Sequence, residues 1–177
     1  QRIELWSALF QNKEPWLNDT TQSMNLPATI AGEIARFVTL EMDTKVEGSS
    51  RATFIDGIYQ KAVKKLRTYV EYACAKGGLI IKPYVADVGV CTQFVQADSF
   101  FPISFDDAGN ITRCVFLDQF REGRTIYTRV EYHKIEDGLL TIKNRVFQAM
   151  TDGVLGVEIP ISSVPRWQSL TDQMIVN

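Results

Sequence analysis

The sequence predicts an α+β fold, N-terminal amphipathic helices packed on an antiparallel β-meander, and three observations carry that prediction. Up to about residue 75, apolar side chains recur every three or four positions, the period of a helix with one buried face. From Asp98 to Phe147 the pattern changes to β-branched and aromatic runs, read as three consecutive strands, with turns at Asp106-Asp107-Ala108-Gly109-Asn110, Glu122-Gly123-Arg124 and Glu136-Asp137-Gly138. Between the two regimes stands Gly77-Gly78, which stops a helix and leads directly into Leu79-Ile80-Ile81.

Each element has its own warrant. Ile3, Trp6, Leu9 and Phe10 are spaced for a short helix over residues 2–11. A second helix is expected from Asn25 to about Val46, with Pro27 in its first turn, where a missing N–H does no harm, and with Ile30, Ile34, Phe37 and Val38 as its stripe. After Gly48-Ser49-Ser50, a third helix is expected over about Thr53–Ala75, along which Phe54, Ile55, Ile58, Ala62, Leu66, Tyr69, Val70 and Ala73 repeat every three or four residues, with Lys61, Lys64, Lys65 and Arg67 on its outer face. Strands follow at Leu79–Lys82, which Pro83 keeps from the centre of a sheet, and at Val90–Val95 after a turn at Asp87-Val88-Gly89. The section 153–164 reads as looser, and residues 171–177 are too short to classify. The chain is therefore read as one fragment, 1–177, mainly helical over 1–76 and mainly antiparallel strands over 77–165.

The last hairpin allows a register argument. Thr128, Val130 and Tyr132 are the more apolar face of one strand, and Leu140, Ile142 and Val146 that of the next; Arg129, Glu131 and His133, with Lys143 and Arg145, are the polar set. A three-residue loop at Glu136-Asp137-Gly138 would pair even positions with even ones and keep the apolar face whole. That predicts Tyr132 opposite Ile142, Glu131 opposite Lys143, and Arg129 opposite Arg145. The polar set then forms a face toward solvent or a neighbouring subunit.

Composition narrows the function. At 45% hydrophobic and 11% aromatic residues the chain can build a core, and 19 basic against 21 acidic residues provide no overall cationic field for nucleic acid or membrane surfaces. Cys74, Cys91 and Cys114 lack C-x-x-C spacing and read as reduced thiols, which suits synthesis in a cytoplasm; the longest apolar runs are far below the ~20 residues of a membrane span. His133 is the one histidine, which rules out H-E-x-x-H zinc chemistry and leaves a thiol nucleophile without an evident base. Phosphate loops, dinucleotide fingerprints and nucleophile elbows are absent from the sequence. Asp106-Asp107 with Asn110 lacks the later glutamate of a calcium loop and reads as a hairpin turn. No catalytic, cofactor-binding or metal residues are assigned, and the expectation is a binding or structural module that is not an enzyme.

Five segments in order, GGLIIKPY (77–84), FVQADSFFPISFDDAGNI (94–111), YTRVEYHKI (127–135), IKNRVF (142–147) and VPRW (164–167), resemble the N-terminal part of tailed-phage portal proteins of the minor capsid, head-tail connector class. The segments WSALFQNKEPW and NLPATIAGEIA are similar to that family's opening helices, so the likeness covers nearly the whole chain. The resemblance implies a structural subunit of a ring, usually dodecameric, at one vertex of the virion capsid. DNA is packaged and ejected through that ring, and terminase, scaffold, capsid and head-completion proteins attach to it. It implies the outer wing of such a subunit, made in the bacterial host cytoplasm, with the DNA-facing parts lying further along a longer chain; the opening at Gln1 without methionine fits an excised piece. It implies no enzyme activity, no cofactor and no membrane partner. The alternative from another class is a stand-alone phage- or prophage-encoded α+β ligand-binding or regulatory domain, recognised by a concave apolar pocket. A small enzyme built on an acid–base pair such as Asp98 with Glu131 is the third reading.

Overall fold

The computed structural model describes residues 2–86 and 89–176 and is α+β, with three helices followed by antiparallel strands. Two compact units divide the chain, residues 1–98 and 99–177.

The first unit holds α1 (Arg2–Phe10), α2 (Leu26–Leu40), α3 (Ser50–Lys76) and the hairpin β1 (Leu79–Ala86) and β2 (Gly89–Gln96). α3 is its spine. It packs on α2, on α1 through Phe10 and Tyr72, and on β2 through Tyr69, whose ring stacks on Phe94 at 4.3 Å. Gly77, at φ 83°, closes α3 by donating its N–H to the Ala73 carbonyl at 2.8 Å, as the sequence predicts. Pro83 is accommodated because a two-stranded sheet has only edges. Of the expected turn before Gly89, Asp87 and Val88 lie outside the described residues.

Two expectations for the helices are corrected. α2 ends at Leu40 instead of near Val46. Glu41 and Asp43 would crowd negative charge at a helix C-terminus. The segment that follows bonds to α3 instead: the Val46 N–H donates to Asp56 Oδ1 at 2.8 Å, and the Gln60 amide donates to the Thr44 carbonyl at 2.6 Å. The α2 stripe is also rotated. Ala31 and Ala35 are its buried residues, because small side chains permit close approach to α3, while Ile30, Ile34, Phe37 and Val38 are exposed.

The second unit is a six-stranded antiparallel sheet in the order β3 (Phe100–Phe105), β4 (Ile111–Glu122), β5 (Thr125–Glu136), β6 (Leu139–Ala149), β7 (Val157–Ile159), with β8 (Gln173–Val176) also on β6. Its turns follow the residue chemistry. Gly123, at φ 59°, begins the two-residue turn between β4 and β5. Asp106 organises the β3–β4 turn, its Oδ1 accepting from the Ala108 and Asn110 amides at 3.0 and 2.7 Å, and Gly109 sits at φ 83°.

The β5–β6 register differs from the sequence reading. Asp137 (φ 52°) and Gly138 (φ 78°) form a two-residue turn, and Glu136 pairs with Leu139. Both central residues are left-handed, which matches the twist of the flanking strands better than the three-residue loop would. Tyr132 therefore faces Lys143, Glu131 faces Asn144 and Arg129 faces Val146. One face of the sheet now holds Asp118, Arg129 and Val146 in a row; the other holds Leu117, Val130 and Arg145. The core lies on the first face, where Val146 packs with Ile161, Val164 and Trp167 from two short 3-10 turns, bordered by Phe120, Tyr127 and Ile159.

Candidate functional site

The chemistry-bearing residues singled out in the sequence gather on β5 and β6, and the register separates them into two groups. Arg129, Glu131 and His133 alternate on the core face, and pairing sets each between residues of β4 and β6: Asp118 and Val146, Phe116 and Asn144, Cys114 and Ile142. Lys143 and Arg145 lie on the opposite face, beside Tyr132 and Val130. The single polar face expected for all five residues does not exist. Arg129 and Glu131 are buried, at 9% and 7% exposure, whereas Lys143 and Arg145 are exposed.

The buried group is held by charge. Glu131 accepts through both oxygens, Oε2 from Arg129 Nη1 at 2.8 Å and Oε1 from His133 Nε2 at 2.6 Å. Arg129 also donates to Asn144 Oδ1 at 3.3 Å and stands 3.8 Å from Asp118 Oδ2. Asp118 in turn accepts from Trp167 Nε1 at 3.2 Å and lies 3.9 Å from Arg166. The His133 ring meets Phe116 edge to face at 5.0 Å. Such a constellation fixes geometry: the carboxylate at its centre has the Arg129 guanidinium on one oxygen and the His133 ring N–H on the other, and the aromatic walls keep the field strong. Only Arg129 Nε is buried without an acceptor among the network's atoms.

Sequence reasoning missed Asp118, Asn144, Arg166 and Trp167. The usable signal was the even positions of β4, where Cys114, Phe116, Asp118 and Phe120 form a mixed face that needs polar partners opposite Asp118. Three of the sequence segments quoted above meet here. YTRVEYHKI supplies Arg129, Glu131 and His133, IKNRVF supplies Asn144 and Val146, and VPRW supplies Val164, Arg166 and Trp167.

The other sequence candidates resolve simply. The Asp106 carboxyl is held below its ordinary range, first by the Asn110 side chain and then by turn amides, so its oxygens serve the turn. Asp98 is engaged by Lys76 and Glu131 by Arg129 and His133, so both carboxylates proposed as an acid–base pair already have cationic partners. Among the described residues no three His, Cys, Asp or Glu side chains converge as metal ligands, and no helix is long and apolar enough to cross a membrane. The chain matches no protein-family model, and no curated protein matches it at a significant level.

Proposed function

We propose that this chain is the outer wing of a phage portal subunit, a structural piece of the head-tail connector ring through which DNA is packaged and ejected, with no bond-making chemistry of its own. The ordered likeness of five sequence segments motivates the reading. The observation that carries it is a pair of unlike apolar surfaces. One is the outer face of α2, where Ile30 and Phe37 are 56% and 68% exposed; the other is the edge strand β3, where Ile103 and Phe105 are 55% and 57% exposed. Exposed apolar patches of this kind mark interaction sites, and a head-to-tail ring needs two different surfaces on every subunit.

Electron microscopy of the full-length gene product tests the proposal. A closed ring of copies around an axial channel is expected, and a monodisperse monomer over the whole concentration range overturns it. The 177-residue chain alone should scatter light as a monomer or weak oligomer, because it holds only part of each contact. It should shift duplex DNA weakly, since its charges balance. Ile34→Glu with Phe37→Glu, both on the exposed face, should leave the circular dichroism of the full-length protein unchanged and block ring closure.

A further inference from the structure

The sheet face opposite the buried network combines an apolar middle with exposed cations. Its middle is apolar: Val115 and Leu117 on β4, Val130 and Tyr132 on β5, and Phe147 on β6, all half-buried. Its border is cationic, with Arg113 and Arg121 at the two ends of β4, Lys134 on β5, and Lys143 and Arg145 along β6. Against these five cations stand three carboxylates, Glu136 and Glu158 on the same face and Asp152, which pairs with Arg121 at 2.6 Å, and Lys143 and Arg145 are the exposed cations along β6. The excess is felt locally: the Glu136 carboxyl is held below its ordinary range, first by the hydrogen bond and charge of Lys134 and further by Arg113. Arg145 reaches Glu158 only at 3.7 Å, with its side chain 68% exposed. In the second unit the 3-10 turns cover the other face, where Val146 and Trp167 lie, and β7 and β8 widen the sheet without adding a layer. An apolar sheet face ordinarily takes a helix as its second layer.

We propose that this face binds an acidic amphipathic α-helix of a partner protein. A helix ~10 Å across covers two strand spacings of ~4.8 Å, which seats its apolar stripe over Val115, Leu117, Val130 and Tyr132. Lys143 and Arg145 are two residues apart on β6, so their stems are separated by ~6.7 Å. Carboxylates at i and i+4 on a helix flank are separated by ~6 Å and meet both cations. The aliphatic centre favours a polypeptide over single-stranded nucleic acid, whose bases need aromatic planes to stack on. The inference does not depend on the portal reading.

The test is fluorescence anisotropy of the 177-residue chain with three labelled probes: a helical peptide with leucines at i, i+3, i+4 and i+7 and glutamates along one flank, the same peptide with lysines in place of the glutamates, and an oligothymidine. The glutamate peptide should bind, and the lysine peptide at least tenfold more weakly. Lys143→Glu with Arg145→Glu should reverse that preference, and Lys143→Gln with Arg145→Gln should abolish it. All four replacements are at exposed positions, so thermal unfolding should match wild type. Equal binding of both peptides, or binding of the glutamate peptide that the charge reversal leaves unchanged, overturns the proposal. Oligothymidine binding in place of the peptide reassigns the face to nucleic acid. Self-association lost in the charge-reversed variant, without peptide binding, reassigns it to a second copy.

Discussion

Replacing Glu131 by alanine tests the account of the buried network most sharply. The carboxylate is 7% exposed and holds Arg129 at 2.8 Å and His133 at 2.6 Å. Its removal leaves the Arg129 guanidinium buried, with Asn144 at 3.3 Å and Asp118 at 3.8 Å as its remaining oxygens and Nε still without an acceptor. Stranding one member of a buried pair costs about 3–5 kcal/mol, and that is the expected loss. Glu131→Gln, which keeps the shape and one acceptor, should lose about 1.5–3 kcal/mol, the range of a hydrogen bond to a charged group. The assay is urea unfolding followed by the fluorescence of Trp167, with Trp6 and Trp16 replaced by phenylalanine, so that the signal reports the second unit alone. Because the pair is buried, the difference should persist in 1 M salt, where the Debye length is ~3 Å. The double replacement Arg129→Met with Glu131→Leu should cost less than Glu131→Ala alone, since no orphaned cation remains. The reasoning fails if Glu131→Ala lies within about 0.5 kcal/mol of wild type, or if the double replacement costs the sum of its parts.

Four further outcomes follow from single residues. Gly156, at φ 83°, approaches Gln148 so closely that an added Cβ would lie 2.1 Å from its carbonyl oxygen; Gly156→Ala should cost about 2–4 kcal/mol in thermal or urea unfolding. Gly109→Ala has the same φ and open space, and should cost only about 1 kcal/mol. Trp167→Phe keeps the ring against Phe120 but removes the donor to Asp118, an expected loss of about 1–3 kcal/mol in urea unfolding followed by circular dichroism. The folded pKa of Asp106 lies below its ordinary value of 3.8, so its contribution to the β3–β4 turn is complete above that value and is lost as pH falls through the lowered one. Protection of the Ala108 and Asn110 amides, taken relative to their intrinsic exchange rate at each pH, should persist to below the ordinary carboxylate range, and be lost at every pH in Asp106→Ala.

Much of the fold was legible because its signals are local. The period of α3, the glycine that caps it and the turn glycines at 109, 123 and 138 each act within a few residues. What was misread depends on partners distant in sequence. The α2 stripe pointed to Ile30 and Phe37, yet close approach to α3 selected Ala31 and Ala35 for burial. Arg129, Glu131 and His133 were read as a surface because charge ordinarily means exposure. Asp118 and Trp167, bonded to each other across 49 residues of chain, and the Asn144 side chain make their burial tolerable, and no period in the sequence announces that.

The same partners explain why grouping apolar residues gave the wrong register. Pairing even positions with even ones would gather Val130, Tyr132, Ile142 and Val146 on one face, but it would also carry Val146 away from the face of Phe120 and Tyr127. Val146 is 1% exposed and belongs with Ile161, Val164 and Trp167, so that slip would break the core on which the C-terminal segment is seated. It would set Arg129 against Arg145, and Glu131 would trade its buried partners for Lys143. In the observed register the left-handed pair Asp137-Gly138, the apolar cluster at one end of the face and the ion network beside it all agree. The buried charges thus oppose slippage, because a strand shifted by one residue would leave Asn144 and Val146 on the wrong side of the sheet with Arg129 and Glu131 still inside. On the opposite face Val130 and Tyr132 are half-buried and Lys143 and Arg145 exposed, so its apolar middle and these two cations stand outside the network that fixes the register.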